Sequence, residues 1–143
     1  MGKDQAKPVS RTVLIVEDDA EQRWLIAMLL QENGFETVEC ESAEAALATM
    51  LLRGREVCMV FADLRLSAAM DGVDLARELK MRWPHLTVVL TSGNPGARLV
   101  HLPPGVEFLP KPWEPRNLLT VAGRAKSAAR PVRSGRGLRL EAS

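Results

Sequence analysis

Acidic, hydroxyl and amine side chains follow short apolar runs at four places in this 143-residue chain. Glu17 and Asp18 follow the first run, Asp63 ends the second, Thr91 ends the third and Lys111 comes after the fourth. Carboxylates that lie close together raise one another's pKa unless a cation intervenes. If the four places meet, their oxygens would suit Mg²⁺, which takes one or two carboxylates, waters and a phosphate oxygen. A lysine and a hydroxyl would complete a site for phosphoryl transfer.

The charges of these residues favour such a site. Glu17, Asp18 and Asp63 carry a formal charge of −3. A phosphoryl group on Asp63 would replace its single charge by about −2, which gives the cluster about −4. Mg²⁺ and Lys111 would offset this to about −1.

Each residue taken singly also has an ordinary structural explanation. Acids after a strand often serve only as helix caps, and Asp19 is expected to cap the helix that follows it. Asp63 could be a solvated strand end, Thr91 could lie in a strand-end turn, and Lys111 could lie in an ordinary loop. Only a fold that brings them together separates a site from these alternatives.

The apolar pattern predicts five strands that alternate with five helices. The strands are predicted at 12–16, 35–40, 57–62, 87–90 and 106–109, and the helices at 20–33, 43–52, 73–83, 97–102 and 114–125. Strands joined by helices of about three turns lie parallel, with helices on both faces of the sheet. The predicted fold class is therefore α/β, a (βα)₅ doubly wound parallel sheet. Its binding crevice lies at the carboxyl ends of the strands, where the polar residues above converge.

Composition and cysteine content favour a cytoplasmic globular protein. Hydrophobic residues make up 46% of the chain, and its two cysteines, Cys40 and Cys58, both lie in apolar runs. These cysteines do not predict a disulfide framework, so we expect a reducing cytoplasm. The N-terminal residues lack the apolar core of a signal peptide, and no apolar run approaches the length of a membrane span.

The charge is uneven along the chain. Residues 1–122 carry a net charge of −4, whereas residues 123–143 carry +5. We predict a flexible tail at 1–10, one domain at 11–125, and a basic disordered tail at 126–143, which shows no apolar periodicity. The tail has no aromatic residue to stack on bases, and the acidic body would repel phosphates, so nucleic acid is not the expected partner.

Four motifs together resemble the receiver domain of two-component response regulators. They are IVEDD, FADLRL with MDG, LTSG and FLPKPW, in this order, and the resemblance covers roughly residues 11–125. It implies a flavodoxin-like fold with strand order 2-1-3-4-5. It also implies that Asp63 is the phosphoacceptor, that Glu17 and Asp18 are the metal-binding acidic pair, and that the main-chain carbonyl of Arg65 is the third protein ligand of Mg²⁺, with Mn²⁺ as an exchangeable substitute.

The same resemblance assigns a switch. Thr91 matches the switch hydroxyl, Lys111 the phosphate-binding lysine with a cis bond to Pro112, and Phe108 the rotating aromatic residue. Phosphorylation would bias the surface around the fourth and fifth helices between two states, for contact with a downstream protein or for homodimer formation.

The loop after Asp63 departs from the pattern of the family. Ser67 stands where receivers commonly have proline, and Gly72 follows Asp63 by nine positions, one more than is common. Arg65 places a cation two residues after the phosphoacceptor, where it could screen the phosphoryl group or obstruct water.

Three functions follow as hypotheses. The leading one is a stand-alone receiver that accepts a phosphoryl group from a histidine kinase or a histidine phosphotransfer protein, and that is not an enzyme for an external substrate. It is expected to stand alone because the roughly 18 residues after the last helix are too few for an output domain. The second is a receiver-fold interaction module that is not phosphorylated. The third is a phosphatase of the haloacid dehalogenase type. The E-D-D sequence after the first strand disfavours it, because those enzymes have a D-x-D-x-T motif at that place.

Overall fold

The computed structural model describes residues 10–67, 69–94 and 96–128. Within these ranges five strands alternate with four α-helices and two 3₁₀ helices. The strands are β1 (Thr12–Val16), β2 (Glu36–Cys40), β3 (Val57–Asp63), β4 (Thr87–Ser92) and β5 (Val106–Pro110). The α-helices are α1 (Ala20–Glu32), α2 (Ala43–Arg53), α3 (Gly72–Arg82) and α4 (Pro115–Ala128), and the 3₁₀ helices are Gly54–Glu56 and Gly96–His101.

The strands form one parallel sheet in the order β2-β1-β3-β4-β5. This confirms the predicted 2-1-3-4-5 order and the doubly wound fold. The register pairs Val16 with Ala62 and Asp63 with Thr91, so the carboxyl ends of the central strands lie side by side. The polar residues that follow these strands therefore reach one rim of the sheet.

The sheet separates two hydrophobic layers. Alternate residues of β1 point to opposite faces, with Leu14 in one layer and Ile15 in the other. Both residues are fully buried, as expected for a strand that is covered by helices on both faces. The central strands are consequently fixed from both sides, which gives the rim a rigid support.

Side-chain caps start three of the helices. Asp19 accepts a hydrogen bond from the Gln22 amide, as the sequence predicts, and Ser42 accepts one from the Ala45 amide. Asp71 and Asp74 form a reciprocal capping box at the start of α3, which the sequence analysis missed. All three caps stabilise helix starts at the functional rim.

The short, weak helix predicted around 97–102 is present, but it is a 3₁₀ helix and not an α-helix. The segment forms the 3₁₀ helix Gly96–His101, so the fold has four α-helices rather than five. Gly96 begins it with a positive φ of 57°, and Pro103 and Pro104 follow one residue after its end, which leaves too few residues for an α-helix.

The domain boundaries also differ slightly from the prediction. Ser10 is buried, and its hydroxyl donates to the Glu56 carbonyl, so the ordered contacts begin inside the predicted N-terminal tail. At the other end α4 continues to Ala128, three residues into the predicted C-terminal tail. The remainder of both predicted tails lies outside the described residues. No helix of the described chain is long and apolar enough to cross a membrane.

Candidate functional site

Asp63 and Lys111 form an ion pair at the centre of the rim. Asp63 ends β3, Lys111 follows β5, and Lys111 Nζ lies 3.1 Å from Asp63 Oδ2. The Asp63 side chain is only 12% exposed and that of Lys111 31% exposed. The parallel register brings these residues together although they are 48 positions apart in sequence. The peptide bond from Lys111 to Pro112 is cis, as the resemblance implies.

Glu17 is buried beside this pair, with 4% of its surface exposed. Its pKa is raised from 4.5 to about 7, chiefly by burial and in part by the neighbouring charge of Asp63. A hydrogen bond that the Asp19 amide donates to Glu17 Oε2, at 3.0 Å, opposes the rise. The rim thus concentrates more negative charge than Lys111 neutralises.

The pKa of Asp18 is shifted in the opposite direction to that of Glu17. Hydrogen bonding from Ser67 lowers its pKa, so its carboxylate stays charged at neutral pH. Ser67 lies in the loop after β3, which means that this loop and the end of β1 are joined across the rim.

The oxygen donors of the rim fit Mg²⁺. Within the described ranges, no group of three or more acidic, histidine or cysteine side chains is arranged to hold a metal ion. Mg²⁺ needs fewer, because it takes one or two carboxylates and fills its other positions with waters and phosphate oxygens. Asp18 and Asp63 would supply the carboxylates and Arg65 its main-chain carbonyl, and the raised pKa of Glu17 indicates where a cation would relieve repulsion.

Thr91 carries an unpaired buried hydroxyl next to Asp63. The residue is 2% exposed, and among the described residues its Oγ1 has no hydrogen-bond partner. Asp63 is its neighbour in the β3–β4 register, and the Leu64 amide donates to the Thr91 carbonyl at 2.8 Å. A buried polar atom without a partner is costly, so this hydroxyl is available to a group bound at Asp63.

Phe108 lies on β5, opposite Leu90 in the register. It is half-buried and packs against one of the two hydrophobic layers. Phe108 thus lies on the strand next to Thr91, whose own register partner is Leu109, and its role in a switch stays a prediction.

The loop after Asp63 is held close to the site by its backbone. The Arg65 amide donates to Asp63 Oδ1 at 2.9 Å. The Gly72 amide donates to the Leu64 carbonyl at 3.0 Å, and a Cβ at Gly72 would lie 2.4 Å from the Asp63 carbonyl oxygen. Glycine is therefore required where α3 begins against the phosphoacceptor strand.

A family model described as the response regulator receiver domain matches residues 13–122. This match covers more than half of the chain. The chain belongs to the response regulator receiver domain family. Receiver domains act in phosphorelay signalling within two-component systems, and the family generally uses Mg²⁺ for phosphorylation.

Two curated relatives are similar to most of this chain. The transcriptional regulatory protein AruR of Pseudomonas aeruginosa is 36% identical over 126 residues, which cover 85% of this chain and 50% of AruR. The sensor kinase CckA of Brucella abortus is 35% identical over 115 residues, which cover 78% of this chain and 12% of CckA. The chain spans half or less of the length of these relatives.

Solved receiver structures have the same fold. The receiver domain of NtrX from Brucella abortus has a TM-score of 0.67 at 31% identity, and the match covers 80% of this chain and 98% of that one. A receiver protein from Sinorhizobium medicae has a TM-score of 0.74 at 25% identity, covering 83% of this chain and 96% of that one.

Two contacts at the receiver rim were missed from the sequence. Gln22 Oε1 lies 3.3 Å from Lys111 Nζ. Arg98 forms a bidentate ion pair with Asp71, with both nitrogen–oxygen distances at 3.0 Å. The position of Gln22, three residues after the Asp19 cap, could have placed it at the rim. Nothing in the sequence pattern signals Arg98, because its partner depends on the path of the segment after β4.

Proposed function

We propose that Asp63 accepts a phosphoryl group from the phosphohistidine of a histidine kinase or a histidine phosphotransfer protein. The observation that carries this proposal is the Lys111–Asp63 contact of 3.1 Å beside the buried Glu17 and the unpaired Thr91 hydroxyl. This combination has a nucleophilic oxygen, a fixed cation and a free donor within one rim. A solvated strand end would need none of these.

In the proposed transfer an Asp63 carboxylate oxygen attacks the phosphorus atom. A P–O bond forms as the P–N bond of the donor breaks, and the electron pair of that bond stays on the imidazole nitrogen. The Lys111 ammonium, already aimed at Oδ2, would neutralise charge on the phosphoryl oxygens. Mg²⁺, held by Asp18, Asp63 and the Arg65 carbonyl, would supply the remaining positive charge.

The Thr91 hydroxyl would bind the phosphoryl group on Asp63. A phosphoryl oxygen offers its hydroxyl a charge-assisted acceptor, which the described residues do not. Movement of Thr91 toward Asp63 would vacate space for Phe108 on the adjacent strand. The output would be a changed protein-contact surface around β5, for a downstream protein or for a second copy of the chain.

The test is intact-mass measurement after incubation with Mg²⁺ and a small phosphodonor. We expect one phosphoryl group on the wild type and none on Asp63→Asn, in EDTA, or on Asp18→Ala. Asp18→Ala should keep its circular dichroism spectrum, because removal of one acid relieves repulsion around Glu17. An adduct that persists in Asp63→Asn would refute the assignment, and a folded wild type that never forms one would favour the unphosphorylated interaction module.

A further inference from the structure

Arg65 joins the phosphoacceptor loop to the segment after β4. Its Nε donates to the Asn94 carbonyl at 2.9 Å, while its own amide donates to Asp63 Oδ1 at the same distance. Its Nη2 lies 3.7 Å from the place of a Cβ on Gly96. The guanidinium therefore bridges two loops from a backbone position that touches the phosphoacceptor.

The segment that Arg65 binds lies next to Lys111. A Cβ on Gly93, the residue before Asn94, would lie 3.7 Å from Cβ of Lys111, whose ammonium contacts Asp63. The Arg65 backbone contacts Asp63 while its guanidinium is held at Asn94. Rotation of this long, flexible side chain can therefore bring the guanidinium toward a phosphoryl group on Asp63.

The charge of the phosphorylated site favours movement of that guanidinium. Mg²⁺ and Lys111 leave the phosphorylated cluster about one negative charge short of neutrality, since the phosphoryl group contributes about −2. Arginine binds phosphoryl oxygens with two parallel hydrogen bonds between opposite charges, whereas the Asn94 carbonyl accepts one bond and carries no net charge. The phosphoryl group is therefore the better acceptor of the two.

We propose that Arg65 is a phosphoryl-binding side chain that releases the Asn94 carbonyl when Asp63 is phosphorylated. This inference rests on the proposed phosphorylation of Asp63. It adds a second route from Asp63 to the segment after β4, separate from the Thr91 hydroxyl.

A second arginine determines which part of that segment is released. Arg98 in the 3₁₀ helix Gly96–His101 binds Asp71 at 3.0 Å and Asp74 at 3.3 Å, both at the start of α3. Because these contacts pair opposite charges, we expect them to persist when Asp63 is phosphorylated. Loss of the Arg65 contact therefore frees only the backbone at Gly93 and Asn94, while Arg98 keeps the 3₁₀ helix attached to α3.

The first test uses the full chain with Mg²⁺ and beryllium fluoride, a phosphoryl mimic. Arginine Nε–H resonances are observed by NMR, and the Arg65 resonance is assigned by its loss in Arg65→Met. We expect it to shift on addition of the mimic, together with the Asn94 amide, while the Arg98 Nε–H resonance stays in place. An unchanged Arg65 resonance in a sample whose Lys111 and Thr91 amides respond would overturn this inference alone. A sample in which no resonance responds would contradict the proposed function.

The second test compares the affinity for beryllium fluoride of Arg65→Met and Arg98→Met. Arg65→Met keeps the main-chain carbonyl but removes both the resting and the phosphoryl contact, so we expect binding to weaken by about fivefold. If Arg65 were only a tether of the resting state, its loss would tighten binding instead. Arg98→Met loosens the same segment and should leave the affinity unchanged. Unchanged or tighter binding by Arg65→Met, or equal weakening by Arg98→Met, would refute the proposal.

Discussion

Glu17 makes the stability of this receiver domain depend on pH. It is 4% exposed, and burial raises its pKa from 4.5 to about 7. Between pH 4.5 and about pH 7, Glu17 is deprotonated in the unfolded chain but still protonated in the folded chain, so the free energy of unfolding falls as pH rises. The pKa shift corresponds to a decrease of about 3 kcal/mol in this free energy, which is complete above about pH 7.

Glu17→Gln should abolish this dependence. In urea denaturation with EDTA present, we expect the variant to be more stable than the wild type at pH 8, by up to about 3 kcal/mol, and equally stable near pH 4. Glu32→Gln, at the exposed end of α1, is the matched control and should follow the wild type. Parallel curves for Glu17→Gln and the wild type would show that Glu17 is already paired in the folded state.

At the scale of single residues, the sequence predicts which side chains meet but not how they bond. Glu17, Asp63 and Lys111 each follow a strand, and a parallel sheet brings strand ends to one rim, so their convergence is predictable. The unpaired hydroxyl of Thr91 and the bond from Arg65 to the Asn94 carbonyl depend on side-chain rotamers and loop paths. No spacing rule encodes these.

At the scale of elements, α3 approaches the phosphoacceptor strand so closely that only glycine fits. A Cβ at Gly72 would lie 2.4 Å from the Asp63 carbonyl oxygen and 2.7 Å from the Leu64 Cα. We expect Gly72→Ala to destabilise the domain by at least about 2 kcal/mol, because the backbone of Asp63 and Leu64 must move to make room for the new Cβ. Phosphorylation by a small donor should slow as well, since the displaced backbone carries Asp63.

Gly123→Ala provides the control for helix propensity. Gly123 lies within α4, and among the described residues no atom beyond its chain neighbours and the nearby helix backbone lies within 4 Å of its Cβ position. Alanine there should stabilise the domain by about 0.5–1 kcal/mol. Both variants are measured by urea denaturation, and equal stability of the two would mean that α3 can move away from β3 at little cost.

The elements themselves were predictable wherever periodicity was strong. The buried run of β1 matches its prediction, whereas the short fourth helix is a 3₁₀ helix and not an α-helix because the six residues Gly96–His101 are too few for stable α-helical turns. The end of α4 was placed too early, since Lys126 reads as tail but its ammonium lies 5.6 Å from the Phe35 ring centroid. Tertiary contacts of this kind are invisible in local composition.

At the scale of the whole molecule, an acidic body precedes a basic C-terminal stretch. Truncation after Ala128 should leave stability and small-donor phosphorylation unchanged, because the described packing ends there. Truncation after Ala125 should cost about 0.5–1 kcal/mol by removing the Lys126–Phe35 contact. Thermal denaturation and intact mass measure both effects.

The basic residues beyond Ala128 should act on association rates. They are Arg130, Arg133, Arg136 and Arg139. We expect the chain truncated after Ala128 to associate more slowly than the full chain with a partner that has an acidic surface, at low salt only. A difference that persists at high salt would indicate direct packing rather than long-range attraction.

The edge position of β5 has a consequence for local opening. Among the described strands β5 pairs with β4 alone and is half-exposed along its length, whereas β1 is fully buried between two strands. Its amides should exchange with deuterium through partial unfolding, at a lower free energy than those of β1. A ligand that bridges Asp63 and Lys111 binds only the closed form, so it should slow exchange in β5 as long as β5 opening breaks the Asp63–Lys111 contact. A bound phosphoryl group would thus hold closed the edge strand that carries Phe108.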